Sequence, residues 1–167
     1  AYDLIVFNVE TPAKRDAYFR SVPLSQRVDG LIVISLPPTD ADVKRFRQAD
    51  IPTVLVDTSH PELSQIVVDD VAGGRMATQH LIQLGHRRIA YLSDPLNDPL
   101  ISPFRFTSSL YRYQGYRQAL KEADIPFSPE YHQAAEHGRF QAKMLTHKLL
   151  ALPNPPTAIF AASDTQA

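Results

Sequence analysis

Gln65-Ile66-Val67-Val68-Asp69-Asp70-Val71-Ala72-Gly73-Gly74-Arg75-Met76-Ala77-Thr78-Gln79-His80-Leu81-Ile82-Gln83-Leu84-Gly85-His86-Arg87-Arg88-Ile89-Ala90-Tyr91-Leu92-Ser93 is the stretch that decides the fold. Its two ends, 65–69 and 88–93, are short apolar runs that are continuous rather than alternating. Strands read that way when helices cover both of their faces. Between them Ala72, Met76, Ala77, His80, Leu81 and Leu84 recur at three- and four-residue spacing, which predicts a helix over 71–84. Asp70 stands where an N-cap is needed, and Gly85 where the chain must turn out of the helix. A strand, a helix and a second strand in succession imply a right-handed crossover and parallel pairing.

Outward from this unit the pattern repeats. Apolar runs at 4–9, 30–36, 53–57 and 157–162 predict further strands, and helices are expected over 41–49, 113–123 and 140–152. Thr39 followed by Asp42 reads as a capping box. Gly73-Gly74 and Gly115 are read as sites of close helix packing. Pro153-Asn154-Pro155-Pro156 is a rigid turn ahead of the last strand, since proline cannot join a ladder. The stretch 94–110 is the longest without a period and holds three prolines; a loop of that length is usually functional or mobile. No internal repeat is evident. The fold class is α/β, with parallel sheets flanked by helices. The chain opens almost inside a strand and stops in what reads as the first turn of a helix, so it is taken as an excerpt of a longer protein.

With 167 residues, 44% of them hydrophobic, the chain can bury a core in one domain or two small lobes. Lys and Arg number 17 against 18 Asp and Glu, and that balance argues against a direct grip on nucleic acid, which needs a basic excess or stripe. Cysteine is absent, which removes disulfides, thiolate metal sites and Cys nucleophiles together and fits a reducing cytoplasm. The run 4–9 is too short to span a bilayer, and no signal peptide accompanies it. The 6 histidines show no H-E-x-x-H spacing, and no G-x-S-x-G elbow or G-K-[ST] phosphate loop is present. No enzyme, cofactor or metal site is expected.

Three segments carry a resemblance to a family. Residues 68–74 and 80–92 together resemble the V-D-N-x-x-G and H-L-x-x-L-G-H-R-R-I-A block of LacI/GalR-type transcription regulators, with Asp70 where asparagine is usual. Arg112-Tyr113-Gln114-Gly115-Tyr116 is similar to that family's R-x-x-G-[FWY], and residues 156–164 to its P-T-A-I-F-A-x-N-D. Residues 27–32 and 51–57 match in the same order, as R-V-D-G-[LI]-I and I-P-V-V-x-[IV]-D, so the likeness runs the length of the chain.

The resemblance implies a two-lobed architecture like that of type I periplasmic binding proteins. Residues 1–86 would form the N-terminal lobe, lacking its first strand and helix, and 87–167 an incomplete C-terminal lobe. The effector, a small sugar or related metabolite, would lie in the cleft between lobes, beyond the carboxyl ends of the strands. The family's DNA-binding head, absent from this chain, would meet operator DNA, and the assembly would be a cytoplasmic homodimer with no membrane contact.

The same resemblance nominates the residues. Asp57 matches a strand-end aspartate able to accept two hydroxyl hydrogen bonds; Thr58 follows it where relatives often carry arginine, so a donor is lost there. Arg112 would reach the ligand with a planar fork that holds two oxygens. His137 falls where many relatives place an aromatic that stacks on the ligand ring. Ser163 and Asp164 take the N-D position, with Asp164 also placed to cap the next helix. Asp69 and Asp70 are read as structural. Phe104 and Arg105, in the long loop, are weaker candidates. An extracytoplasmic sugar-binding protein of a transport system is the alternative, because it shares fold and cleft; the 80–90 block favours the regulator.

Overall fold

The computed structural model describes residues 3–9, 11–23, 27–96 and 107–167. Contacts between Cα atoms divide the chain into two compact units, Ala1–Val68 and Asp69–Ala167. The helix after Val68 therefore groups with the later residues, and the lobe boundary expected at His86/Arg87 is not where the units part. The reason is helix packing, set out below.

In the first unit, α1 (Pro12–Ser21) precedes a parallel sheet of β1 (Leu31–Ile34), β2 (Thr53–Val56) and β3 (Ser64–Ile66), ordered β1-β2-β3, with α2 (Asp40–Gln48) between β1 and β2. Residues alternate sides along a strand, so Val33 and Leu55 face one way and bury against Phe19 of α1 and Phe46 of α2. The two phenyl rings meet edge to face at 5.5 Å. Burial of each such side chain contributes about 1.5–3 kcal/mol. The expected capping box forms: the Asp42 N–H donates to Thr39 Oγ, and Asp42 Oδ2 accepts from the Thr39 N–H.

Two expectations fail in this unit. Residues 3–9 make no ladder, and Leu4 and Val6 are exposed; an apolar run becomes a strand only where a neighbour supplies its hydrogen bonds. The opposite face of the sheet is also open among the described residues, with Ile32, Ile34 and Ile66 at 67%, 61% and 65% exposure, although the continuous apolar runs predicted two covered faces.

The second unit orders its parallel strands β5-β4-β6, where β4 is Ile89–Ser93, β5 His132–Ala134 and β6 Ala158–Ala161. Its helices are α3 (Asp70–Gln83), α4 (Thr107–Glu122) and α5 (Arg139–Leu150). Here both faces are covered, and β4 is buried throughout. Ile89 and Tyr91 pack with Tyr116, Leu120 and Ile125 on one side; Ala90 packs with Tyr131 and Leu149 on the other. The Tyr91 hydroxyl donates to Ser109 O at 2.7 Å, and that of Tyr116 to Ile89 O at 2.9 Å. Burial, the largest influence on both phenols, pushes their pKa values well above the ordinary range.

Helices α3 and α4 touch backbone to backbone. A Cβ on Gly74 would lie 2.2 Å from Arg112 O, and one on Gly115 2.1 Å from Val71 O. Gly73 meets nothing within 4 Å, so the close approach depends on Gly74 and Gly115. This contact draws α3 into the second unit.

Other differences are local. The cap of α3 is Asp69, whose side chain accepts from the Ala72 N–H at 2.9 Å, not Asp70. Helix α4 begins at Thr107 rather than 113, because Ser109 anchors its first turn through the Tyr91 hydroxyl and Asp94. Of the long loop, residues 97–106 lie outside the described residues. Helix α1 and strand β5 carry no apolar period that would announce them.

A short repeat emerges with the coordinates. Ala49-Asp50-Ile51-Pro52 ends α2 and Ala123-Asp124-Ile125-Pro126 ends α4. The aspartates share φ 51°, and Ile51 and Ile125 N–H groups reach back to Phe46 O and Leu120 O. This is the Schellman stop that Gly85, φ 91°, makes for α3 through the His86 N–H to Leu81 O. Asp is among the few residues that tolerate the left-handed region.

Candidate ligand-binding residues at the strand ends

In the first unit, Ser35 follows β1 and Asp57 follows β2. Both are non-glycine residues at φ 55°, a left-handed conformation that costs energy and tends to occur at functional positions. Their N–H groups bond across the strand ends, Ser35 to Val56 O and Asp57 to Ile66 O, each at 2.9 Å. The Ser35 hydroxyl donates to Asp57 Oδ2 at 2.7 Å. The carboxylate that the sequence nominates is thus held at the carboxyl end of a parallel sheet with one oxygen occupied. Thr58 is buried in the same turn.

In the second unit the nominated residues also gather at the strand ends. Arg112, on α4, donates from Nε to Asp70 Oδ1 at 2.8 Å and from Nη1 to Ala162 O at 2.6 Å, just beyond β6. Asp70 is buried, whereas the Arg112 side chain is 35% exposed. Nη2 has no protein partner among the described residues. Asp70 is therefore structural, as expected, but as an anchor for Arg112 rather than as a helix cap.

His137 and Ser163 are joined by a chain of side chains. His137 Nδ1 meets Asp94 Oδ1 at 2.9 Å; Gln166 Nε2 donates to the same oxygen at 3.2 Å; and the Ser163 hydroxyl donates to Gln166 Oε1 at 3.0 Å. Ser109 Oγ donates to Asp94 Oδ2 at 3.0 Å. Asp164 is exposed in the turn after β6, with no bonding partner among the described residues and no helix formed behind it to cap. Phe104 and Arg105 lie outside the described residues.

The sequence reading missed Ser35, Asp94 and Gln166. A signal existed for two of them: Ser35 and Asp94, like Asp57, stand at or next to the carboxyl end of an apolar run, and parallel sheets place ligands beyond those ends. Gln166 had none. No group of His, Asp and Glu suited to a metal ion occurs among the described residues.

Each of the two parallel α/β units thus carries fixed polar side chains at its strand ends. The chain belongs to the family described as periplasmic binding proteins and sugar binding domain of LacI family, whose model matches residues 1–167. It is 29% identical over 166 residues to the HTH-type transcriptional repressor PurR of Actinobacillus pleuropneumoniae serotype 5b, an alignment covering 98% of this chain and 47% of that protein. A crystallised regulatory protein of LacI family from Chloroflexus aggregans is similar at TM-score 0.76 and 30% identity, over 95% of this chain and 55% of the other. A complex of the transcriptional regulator CelR with cellobiose is similar at TM-score 0.75 and 27% identity, over 93% and 46% of the two chains. The chain thus spans about half the length of the curated relatives it matches. These relatives are transcriptional regulators. Among the described residues no helix is long and apolar enough to cross a membrane.

Proposed function

We propose that this chain is the effector-sensing part of a homodimeric LacI-type transcription regulator of the cytoplasm, without catalytic activity, and that it binds a small sugar or related metabolite. Arg112 carries the reading: Asp70 and Ala162 O fix its guanidinium while Nη2 stays open to a ligand oxygen. Asp57 would accept ligand hydroxyls, with Thr58, His137, Ser163 and Asp164 completing the contacts. A ligand bound more tightly by one conformation of the regulator than by another would favour the first. Only such differential affinity can shift a two-state equilibrium and pass a signal to a DNA-binding domain outside this chain, which would hold operator DNA. The CelR–cellobiose complex supports a carbohydrate as the effector. The resemblance of the relatives to repressors supports the regulator over a transport-linked binding protein.

A thermal-shift series on the full-length protein with cellobiose and a panel of neutral mono- and disaccharides tests this, because a ligand bound only by the folded state raises Tm. At least one sugar should raise it. Arg112→Met should abolish the shift and, by leaving buried Asp70 unpaired, lower stability by about 1–3 kcal/mol. Operator affinity that responds to no sugar or nucleobase in a gel shift would defeat the proposal.

A further inference from the structure

Asp94 is the most heavily used side chain at either set of strand ends. It follows β4, the central strand of its sheet, and is only 8% exposed. It gathers three segments distant in sequence: α4 through Ser109, the loop after β5 through His137, and the turn after β6 through Gln166. Ser109 and Gln166 both donate to it. A carboxylate receiving donors on both oxygens acts purely as an acceptor, so the ring nitrogen facing it must carry the hydrogen. In His137 that nitrogen is Nδ1. The neutral imidazole then has a bare lone pair on Nε2, which has no protein partner among the described residues on a side chain that is 47% exposed.

We infer that Asp94 is a positioning residue that fixes His137 as a hydrogen-bond acceptor at Nε2, matching a neutral ligand that offers a hydroxyl or ring N–H there. A ligand placing a carboxylate or phosphate oxygen at Nε2 would set lone pair against lone pair. The inference about the ligand rests on the sensor reading above; the tautomer does not. Asp94 also couples His137 to Ser163 through Gln166, so the imidazole and the Ser163 hydroxyl are set by one carboxylate.

The test is the imidazole ¹⁵N spectrum of the full-length protein, labelled at histidine and free of ligand, near neutral pH. The His137 signals are identified by their loss in His137→Gln. The expected result is a protonated Nδ1 and a bare Nε2. Asp94→Ala should shift His137 toward the Nε2–H form, and Asp94→Asn should restore the original tautomer, since its amide oxygen can still accept. Ser109→Ala, which removes a bond to Asp94 without touching His137, should leave the tautomer alone and controls for loosening of the turn. Where a neutral sugar binds, Asp94→Ala should weaken it by roughly tenfold and Asp94→Asn by less. An Nε2–H tautomer in the unmodified protein, or one unchanged in a folded Asp94→Ala, would overturn the inference. The expected tautomer in a protein that no sugar stabilises would count instead against the sensor reading.

Discussion

The two three-stranded parallel sheets are built alike and finished differently. In the second unit β4 is buried along its whole length, with α3 and α4 on one face and α5 on the other. In the first unit the described elements cover one face only, and Ile32, Ile34 and Ile66 stand in solvent on the other. Their strand ends differ in the same sense. Ser35 and Asp57 meet directly, each in a left-handed backbone, whereas Asp94, outside the left-handed region, recruits three segments. A small unit with few neighbours stores its site geometry in backbone strain. A well-packed unit stores it in a side-chain network, because it has fixed groups close enough to supply partners.

The largest effect that can break this comparison is steric. Gly115→Ala should lower stability by about 1–3 kcal/mol or more, because its Cβ would strike Val71 O and nothing there is flexible enough to move aside. Gly73→Ala, next to Gly74 in the same helix but with open space around it, should raise stability by about 0.5–1 kcal/mol. Urea unfolding of both variants decides the matter: equal losses would mean that α3 and α4 are not in backbone contact. A middling effect is expected in the first unit, where Thr39→Ala removes the α2 cap and should cost about 1 kcal/mol. Hydrogen exchange should place that loss around Val43 and Phe46, leaving the Tyr91 amide protected.

The smallest expected difference is in acid. Burial, the leading cause, and nearby Arg117 hold His132 below its ordinary value of 6.5. Its folded form resists protonation, so stability is complete above about pH 6.5 and declines as pH falls below it. Asp42 is opposite in chemistry. Burial alone would raise it, but hydrogen bonds from Thr39 and Arg15 outweigh that and hold it below 3.8. The stability it lends is present above the unfolded value and is lost as pH falls through the lower folded one. Acidification from about pH 7 to about pH 5 should therefore loosen the second unit while Asp42 still supports the first. Amide exchange followed at Leu92 and Leu55 reads the two separately, and His132→Gln should flatten the first response. Loss of protection at Leu55 ahead of Leu92 would reverse the assignment.

Much of the fold is legible in the chain. Helix α3 and strand β4 stand within a residue of their expected bounds, Gly85 stops the helix as expected, and the Thr39–Asp42 box forms; but β3 ends at Ile66 rather than 69, and β3 and β4, expected to pair across α3, belong to different sheets. The failures share a cause. Residues 4–9 read as a strand and join no ladder among the described residues. The polar segment His132-Gln133-Ala134 reads as nothing and forms β5, because β4 offers it a ladder at Tyr91, Leu92 and Ser93. Helix α4 gains its first turn from Tyr91 and Asp94. In each case a partner far along the chain overrode local propensity.

The site divides along the same line. Asp57, Arg112, His137 and Ser163 were nominated from motif position, and each stands at or beside a strand end. What motif position could not convey is that Arg112 leans on Asp70, or that His137 and Ser163 share a carboxylate. The Ala-Asp-Ile-Pro segments show the boundary well: the same four residues end a helix in both units, yet β2 begins at once after Pro52 while a 3-10 turn, Pro129–Tyr131, comes before β5 after Pro126.

Alone, the order of residues determined most of the elements, their parallel class and the family, since those follow from period, caps and motif, which are local properties of a chain. Which side chains face one another, which faces stay open and which oxygen is left free for a guest were decided only on folding. Those are contacts between segments tens of residues apart, and their geometry exists only once burial has brought the segments together.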